Sequence, residues 1–311
     1  MLGYEHRMDS VLANAVCVPL HPERSYVLMS DCHRGDGNWH DNFAGNKTVY
    51  LAALREYYER GYSYFELGDG DELWENKRME EIMEKHGEVF ALLKKFHAKG
   101  RLFMLYGNHD MVKKNEQTMG ERLMGLMALE MRKPDTAKKK EHMFCGCCPG
   151  LVAHESIFLK NCCNGKGLLL IHGHQGDFMN DTLWKLSRFL VRYLWRPLEQ
   201  LGVKDPTSAA KNYKKKDFVE KRMATWAKKR QQVLVAGHTH RPYFTEDPHN
   251  AWYYNTGSGV HPYSITAIEI NQGEMSLVKW QQLPGKDNYV KVEKELLGGP
   301  LPLEEILWKN G

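Results

Sequence analysis

No apolar run in this chain reaches the roughly 20 residues that a bilayer-spanning helix requires, so a helical membrane protein is excluded. Met1 to Ser10 lack the charged-then-apolar pattern of a secretion signal. Cysteine is sparse and odd in number, seven in 311 residues, which disfavours a disulfide framework and points to a reducing, cytoplasmic setting. Cys145, Cys147, Cys148, Cys162 and Cys163 crowd together, but they lack the Cys-x-x-Cys spacing of structural zinc knuckles, and buried free thiols are the expectation. Internal repeats and low-complexity tracts are missing as well. Neither sign of charge dominates, the formal net being +4. Lys and Arg do bunch at Lys138 to Lys140, Lys211 to Lys216 and Lys221 to Arg230. Those basic stretches carry only two aromatics, Tyr213 and Trp226, too few for a regular interleaving, which argues against a single-stranded nucleic-acid track and leaves a solvated helix face or a phosphate-rich or headgroup partner.

What remains is an ordinary globular composition, 42% hydrophobic and 26% charged, and a length that suits one large α/β domain with an insertion or two modest ones. Short apolar runs alternate with helical stretches, the signature of parallel strands joined by crossover helices. Strands are predicted at Tyr26 to Ser30, Tyr62 to Leu67 and Arg101 to Tyr106, with helices over Ala44 to Arg60 and Lys77 to Ala98 between them. A helical, Met-rich segment to about Met131 and a polar loop at Pro134 to Lys140 follow. Strands resume at Ser156 to Lys160, Gly167 to Ile171 and Val233 to Ala236, and the tail reads as antiparallel strands forming a second sheet. The expected organisation is one domain over 1–311 with a helical insertion over 178–232.

Five short motifs fall at or near strand ends, where open α/β sheets bind ligands: Asp31-Cys32-His33, Gly68-Asp69, Gly107-Asn108-His109-Asp110, Ile171-His172-Gly173-His174 and Gly237-His238-Thr239-His240. Asp31 and His33 offer a hard oxygen and an imidazole to one divalent cation, and Asp69 is the natural bridging carboxylate. Asn108 adds a neutral oxygen where anions already crowd. His109 is better placed as an acid delivering a proton to a leaving group, with Asp110 orienting it or capping the following helix. His172 is assigned to a metal in preference to His174, which remains open as a substrate contact. His238 and His240 flank Thr239 and alternate in direction, so one segment serves two metals. Arg34 has the bidentate geometry for a substrate phosphate. Glu72, Trp74 and Glu75 follow Asp69 closely, either as rim contacts or as the start of a helix.

Across Tyr26 to Asn255 this set resembles the calcineurin-like metallophosphoesterase family. The resemblance implies a two-sheet αββα sandwich and two divalent ions, manganese with iron or zinc as alternatives. One ion would be held by Asp31, His33, Asp69 and His240, the other by Asp69, Asn108, His172 and His238, with a bridging water or hydroxide attacking phosphorus. The arrangement is most similar to the branch containing UDP-2,3-diacylglucosamine pyrophosphatases, through His172-Gly173 followed by Asp177, a helical insertion, and Gly237 to Pro242. That branch implies a lid over 178–232, here carrying Phe178, Met179, Leu183, Trp184, Leu186, Phe189, Leu190, Tyr193, Leu194 and Trp195 before the basic Lys211 to Arg230 stretch, that accepts a lipid-linked or nucleotide-sugar pyrophosphate at the inner membrane face. His109 stands where the best-known lipid pyrophosphatases carry Arg, which favours a general phosphomonoesterase or phosphodiesterase. A silent binding module ranks lower because no ligand is missing, and a nuclease because the basic insertion lacks a regular interleaving of aromatics. Substrate and oligomeric state stay open.

Overall fold

The computed structural model describes residues 2–38, 41–114, 151–161, 164–181, 183–195, 213–285 and 290–307. Helix α1 (Leu2–Ala13) leads into β1 (Val16–Leu20) and β2 (Tyr26–Met29). Two repeats of the predicted alternation follow: α2 (Lys47–Glu59), β3 (Ser63–Leu67), α3 (Met79–Lys85) with α4 (Gly87–Ala98), and β4 (Leu102–Leu105). Then come β5 (Ala153–His154), β6 (Ser156–Asn161), β7 (Gly167–Ile171), β8 (Val233–Ala236), β9 (Tyr253–Asn255), β10 (Ser264–Asn271), β11 (Glu274–Pro284) and β12 (Val290–Pro302).

The strands form two sheets. One has seven strands in the order β12-β11-β10-β2-β3-β4-β5, and the other five in the order β1-β6-β7-β8-β9. β2, β3, β4 and β5 run parallel to one another, as do β7, β8 and β9, so the motif-bearing ends within each sheet lie on one side. The period-two alternation of side chains decides the layers. Leu28, Phe65, Leu105, Leu168, Leu170 and Val235 pack in one cluster between the sheets. Val27, Met29, Tyr64 and Met104 face the other way onto α2 and α4 through Val49, Leu54, Leu93 and Phe96. Leu169, Ile171 and Leu234 pack on α1 and on the helix Tyr213–Arg230 through Met8, Met223 and Trp226. Helix, sheet, sheet, helix is therefore the observed order of layers, as an α/β sandwich requires.

The single helix expected over Lys77 to Ala98 is two helices. The chain breaks at His86 (φ −110°, ψ 30°), whose buried imidazole lies 2.8 Å from the Asp41 carboxylate, a long-range pairing that outweighs local helix propensity. α1, β1 and β12 were not anticipated. The insertion region is helical where described, at Phe178–Asp181, Trp184–Leu190 and Tyr213–Arg230. Of the Met-rich segment only the turn Met111–Lys114 is described, and its remainder, the loop at Pro134 to Lys140 and the five clustered cysteines lie outside the described residues. Cys17 and Cys32 are free thiols. Among the described residues no helix is long and apolar enough to cross a membrane.

Candidate metal centre

Each central strand ends in a sharp reversal of the backbone, and the reversals carry the chemistry. Asp31, His33, Asp69, His238 and His240 all have positive φ, between 48° and 68°, a conformation that non-glycine residues adopt at a cost and that concentrates at functional sites. Gly68 (φ 87°) makes the approach possible, because a side chain there would collide with Gly107 and the His172 ring. Backbone bonds knit the first two loops: Asp31 N–H to Gly68 O at 3.1 Å and His33 N–H to Asp69 O at 2.9 Å.

The seven expected ligands are brought together. Donor atoms of Asp31, His33 and His240 lie within 4.8 Å of one another, as do those of Asp69, His172 and His238. Asp69 also lies between the groups, its Oδ2 3.2 Å from His172 Nε2 and 3.7 Å from His33 Nε2. Asn108 Oδ1 is 3.2 Å from His172 Nε2. His240 Nε2 is 3.1 Å from Asp31 Oδ1 and 3.2 Å from His33 Nε2. Asp31, Asp69, Asn108 and His172 are buried.

Tautomers follow from the outer contacts. His172 Nδ1–H donates to Leu67 O at 2.9 Å, and His33 Nδ1–H donates to Glu72 at 2.9 Å. Each leaves its Nε2 lone pair facing the centre. His238 Nε2 and Asp31 Oδ1 are buried without a hydrogen bond. Lone pairs converging at about 3 Å, two of them unpartnered, repel one another unless a proton or cation lies between them. The donor set of imidazoles, carboxylates and one amide oxygen fits two divalent cations.

The electrostatics fit too. Burial alone would raise the carboxyl of Asp69, but His172, His109 and His33 hold it below the usual range. Asp31 is likewise held well below it by His240 and His172 against burial. Burial opposes charge on His172, yet Asp69 and Asp31 push it up to about 9. Burial, then the neighbouring His172, pushes His238 down to about 3, so its lone pair is free across the neutral range. The metal-free protein thus carries protons on His172 and, by the same balance, on His33. Cation binding must displace them. Titrating Mn2+ into stripped protein at pH 7 should release about two protons, read from the dependence of binding heat on buffer ionisation. Apparent affinity should rise by roughly tenfold per pH unit for each proton displaced as pH climbs toward the His172 value of about 9. A binding heat independent of buffer would contradict this protonation pattern.

His109 sits at the rim, more open than the ligands. Its N–H donates to Asp69 Oδ1 at 2.8 Å. Its Nδ1 pairs with Glu72 at 2.8 Å, and its ring stacks on Trp74 at 4.3 Å between centroids. Glu72 therefore orients both His33 and His109, a role that sequence proximity to Asp69 left undecided. Burial works against charge on His109, but Glu72 and Asp69 raise its pKa above the ordinary value.

Two sequence expectations need correction. Asp110 does not orient His109: its carboxylate accepts backbone N–H groups from Gly107 (2.7 Å), Gly70 (3.1 Å) and Asp69 (3.2 Å). Arg34 does not reach toward a substrate. It is fully buried, giving Nε to Asp71 at 2.7 Å and both terminal nitrogens to Glu66 at 2.7 and 2.9 Å. His174 is buried with neither ring nitrogen hydrogen-bonded, and burial and then His172 lower its pKa well below the usual value. It groups with Glu155 and Asp181, but Arg7 already pairs with both of those carboxylates, so that cluster is an ion-paired neighbour of the centre.

The sequence pattern of the calcineurin-like phosphoesterases matches residues 25–242. No curated protein gives a match. Among solved structures, Chaetomium thermophilum Vps29 is similar at 10% identity, covering 89% of this chain and 97% of its own, with a TM-score of 0.39. A cold-active protein tyrosine phosphatase is similar at 14% identity, covering 91% of this chain and 82% of its own, with a TM-score of 0.40.

Proposed function

The chain belongs to the calcineurin-like phosphoesterase family, and on that footing we propose that it hydrolyses phosphate esters with two divalent cations, manganese first among them. Asp31, His33, Asp69 and His240 would hold one, and Asp69, Asn108, His172 and His238 the other. When bound, the pair would supply positive charge to the phosphoryl oxygens and an activated water. The observation that carries the reading is the convergence of Asp31, His33, Asp69, His172, His238 and His240 in two adjoining groups, with Asn108 beside His172 and two buried lone pairs left unpartnered. His109 does the acid work: Glu72 holds its Nδ1–H, so the proton for the leaving-group oxygen is held at Nε2. Trp74 fixes the ring plane by stacking. A panel of a monoester, a diester, a nucleotide sugar and a lipid pyrophosphate, assayed with Mn2+, tests the reading and ranks the substrates. Failure to turn over all four would refute it.

One observation favours an amphipathic substrate as the second reading. Leu186, Phe189 and Tyr193 are 48%, 58% and 56% exposed, at a spacing that puts them along one side of the helical segment after His172. Arg192 ties that segment to the loop after Asp69, donating to Leu73 O at 2.7 Å and Trp74 O at 2.9 Å. An apolar lid beside the centre would hold acyl chains. Phe189→Asp with Leu186→Asp should then lower turnover of a long-chain phosphate about tenfold or more, from lost apolar burial of the chain, and leave para-nitrophenyl phosphate unchanged. Equal loss on both substrates would remove the lid from the substrate site.

A further inference from the structure

The ligand loops share a buried charged cluster that the chemistry above leaves unused. Lys113, 5% exposed, sets its ammonium 2.6 Å from Asp110 Oδ2 and 2.7 Å from Asp71 Oδ2. Through its three backbone bonds, Asp110 fastens the loop of Asp69 to the loop of Asn108. Asp71 passes the connection to Arg34, and Arg34 to Glu66. Arg34 N–H in turn bonds Gly70 O at 3.0 Å, tying in the loop of Asp31 and His33. The cluster is tight enough that a side chain at Gly70 would overlap Glu66 and Arg34.

Counting formal charge, Asp110, Asp71 and Glu66 face Arg34 and Lys113. Without the ammonium, three buried carboxylates share one guanidinium, and the carboxylate that gathers three N–H groups loses its only side-chain cation within 4.0 Å among the described residues. Repulsion between Asp110 and Asp71 would then part the loops they sit on. Ligand geometry at a metal centre is sensitive to displacements well under 1 Å, so the effect would be felt first as lost cation affinity.

We propose that Lys113 is a positioning residue of the centre, whose buried ammonium joins Asp110 to Asp71 and so holds the loops of Asp69, Asn108 and His33 at their ligating separation. This rests on the dinuclear reading but is tested apart from activity. Mn2+ binding to stripped wild-type, Lys113→Met and Lys113→Arg proteins is measured by calorimetry, with melting temperatures of the metal-free forms. Lys113→Met should weaken binding by about tenfold, the lower end of the range for partners bonded to metal ligands, because Lys113 acts one contact further out through Asp110, while Lys113→Arg, which keeps the cation, recovers most of it. If Lys113→Met does not fold, Lys113→Gln carries the same comparison. Wild-type-like affinity in the neutral variants, or equal loss in the Arg and neutral variants, overturns the role of Lys113 and leaves the function intact. A wild-type protein that binds no Mn2+ overturns both.

Discussion

Asp69→Asn should strip the protein of both cations and of hydrolysis together, with a rate loss of at least about a thousandfold, the scale of removing a principal electrostatic group from a reaction centre. The substitution is nearly isosteric, and Asn tolerates the positive φ of 51° at this position, so the loop has no steric reason to move. Only the charge goes. Among the described residues, Asp69 is the carboxylate that lies within 4.0 Å of ring nitrogens from both groups, 3.2 Å from His172 and 3.7 Å from His33. Its charge also does most to raise the pKa of His172 against burial, so the variant should release fewer protons on any residual binding. Metal analysis of the purified variant alongside its turnover checks this. Retention of both cations with a tenth or more of the rate would remove Asp69 from its bridging position.

His109→Ala should behave oppositely, keeping the metals and losing rate by about 10²–10⁴, the usual worth of a positioned general acid. None of the backbone bonds that form the centre requires the imidazole, since Asp69 Oδ1 is held by the His109 main-chain N–H at 2.8 Å. The loss should depend on the leaving group. An alkoxide needs the proton and para-nitrophenolate scarcely does, so the alkyl ester should suffer far more than the aryl ester. A uniform loss across leaving groups would assign His109 to phosphate binding, and normal turnover of the alkyl ester would end the acid role.

Much of the candidate site was legible because its proposed ligands follow strands whose apolar runs are plain. Tyr26–Met29 delivers Asp31, Ser63–Leu67 delivers Asp69, and Leu102–Leu105 delivers Asn108. What escaped depends on partners far away in sequence. Glu72 gains its meaning from His33 and His109, 39 and 37 residues distant. Arg34 looked like a phosphate ligand because it follows His33, but Glu66 within an otherwise apolar strand was a signal that a buried cation would be needed there. Lys113 is an unremarkable lysine after a motif until the fold brings Asp71 beside it. β1 and β12 are edge strands, partly exposed, and Pro19 or Gly298-Gly299-Pro300 interrupts them, which hides the uninterrupted pattern that marks the central strands.

Stripping the protein with chelator and adding back Mn2+ in measured equivalents, while following hydrolysis of para-nitrophenyl phosphate, bears most directly on the two-cation centre. Activity should be absent from the stripped protein and should rise to a plateau at about two equivalents per chain. A plateau at one equivalent, or hydrolysis that survives complete removal of metal, would contradict it.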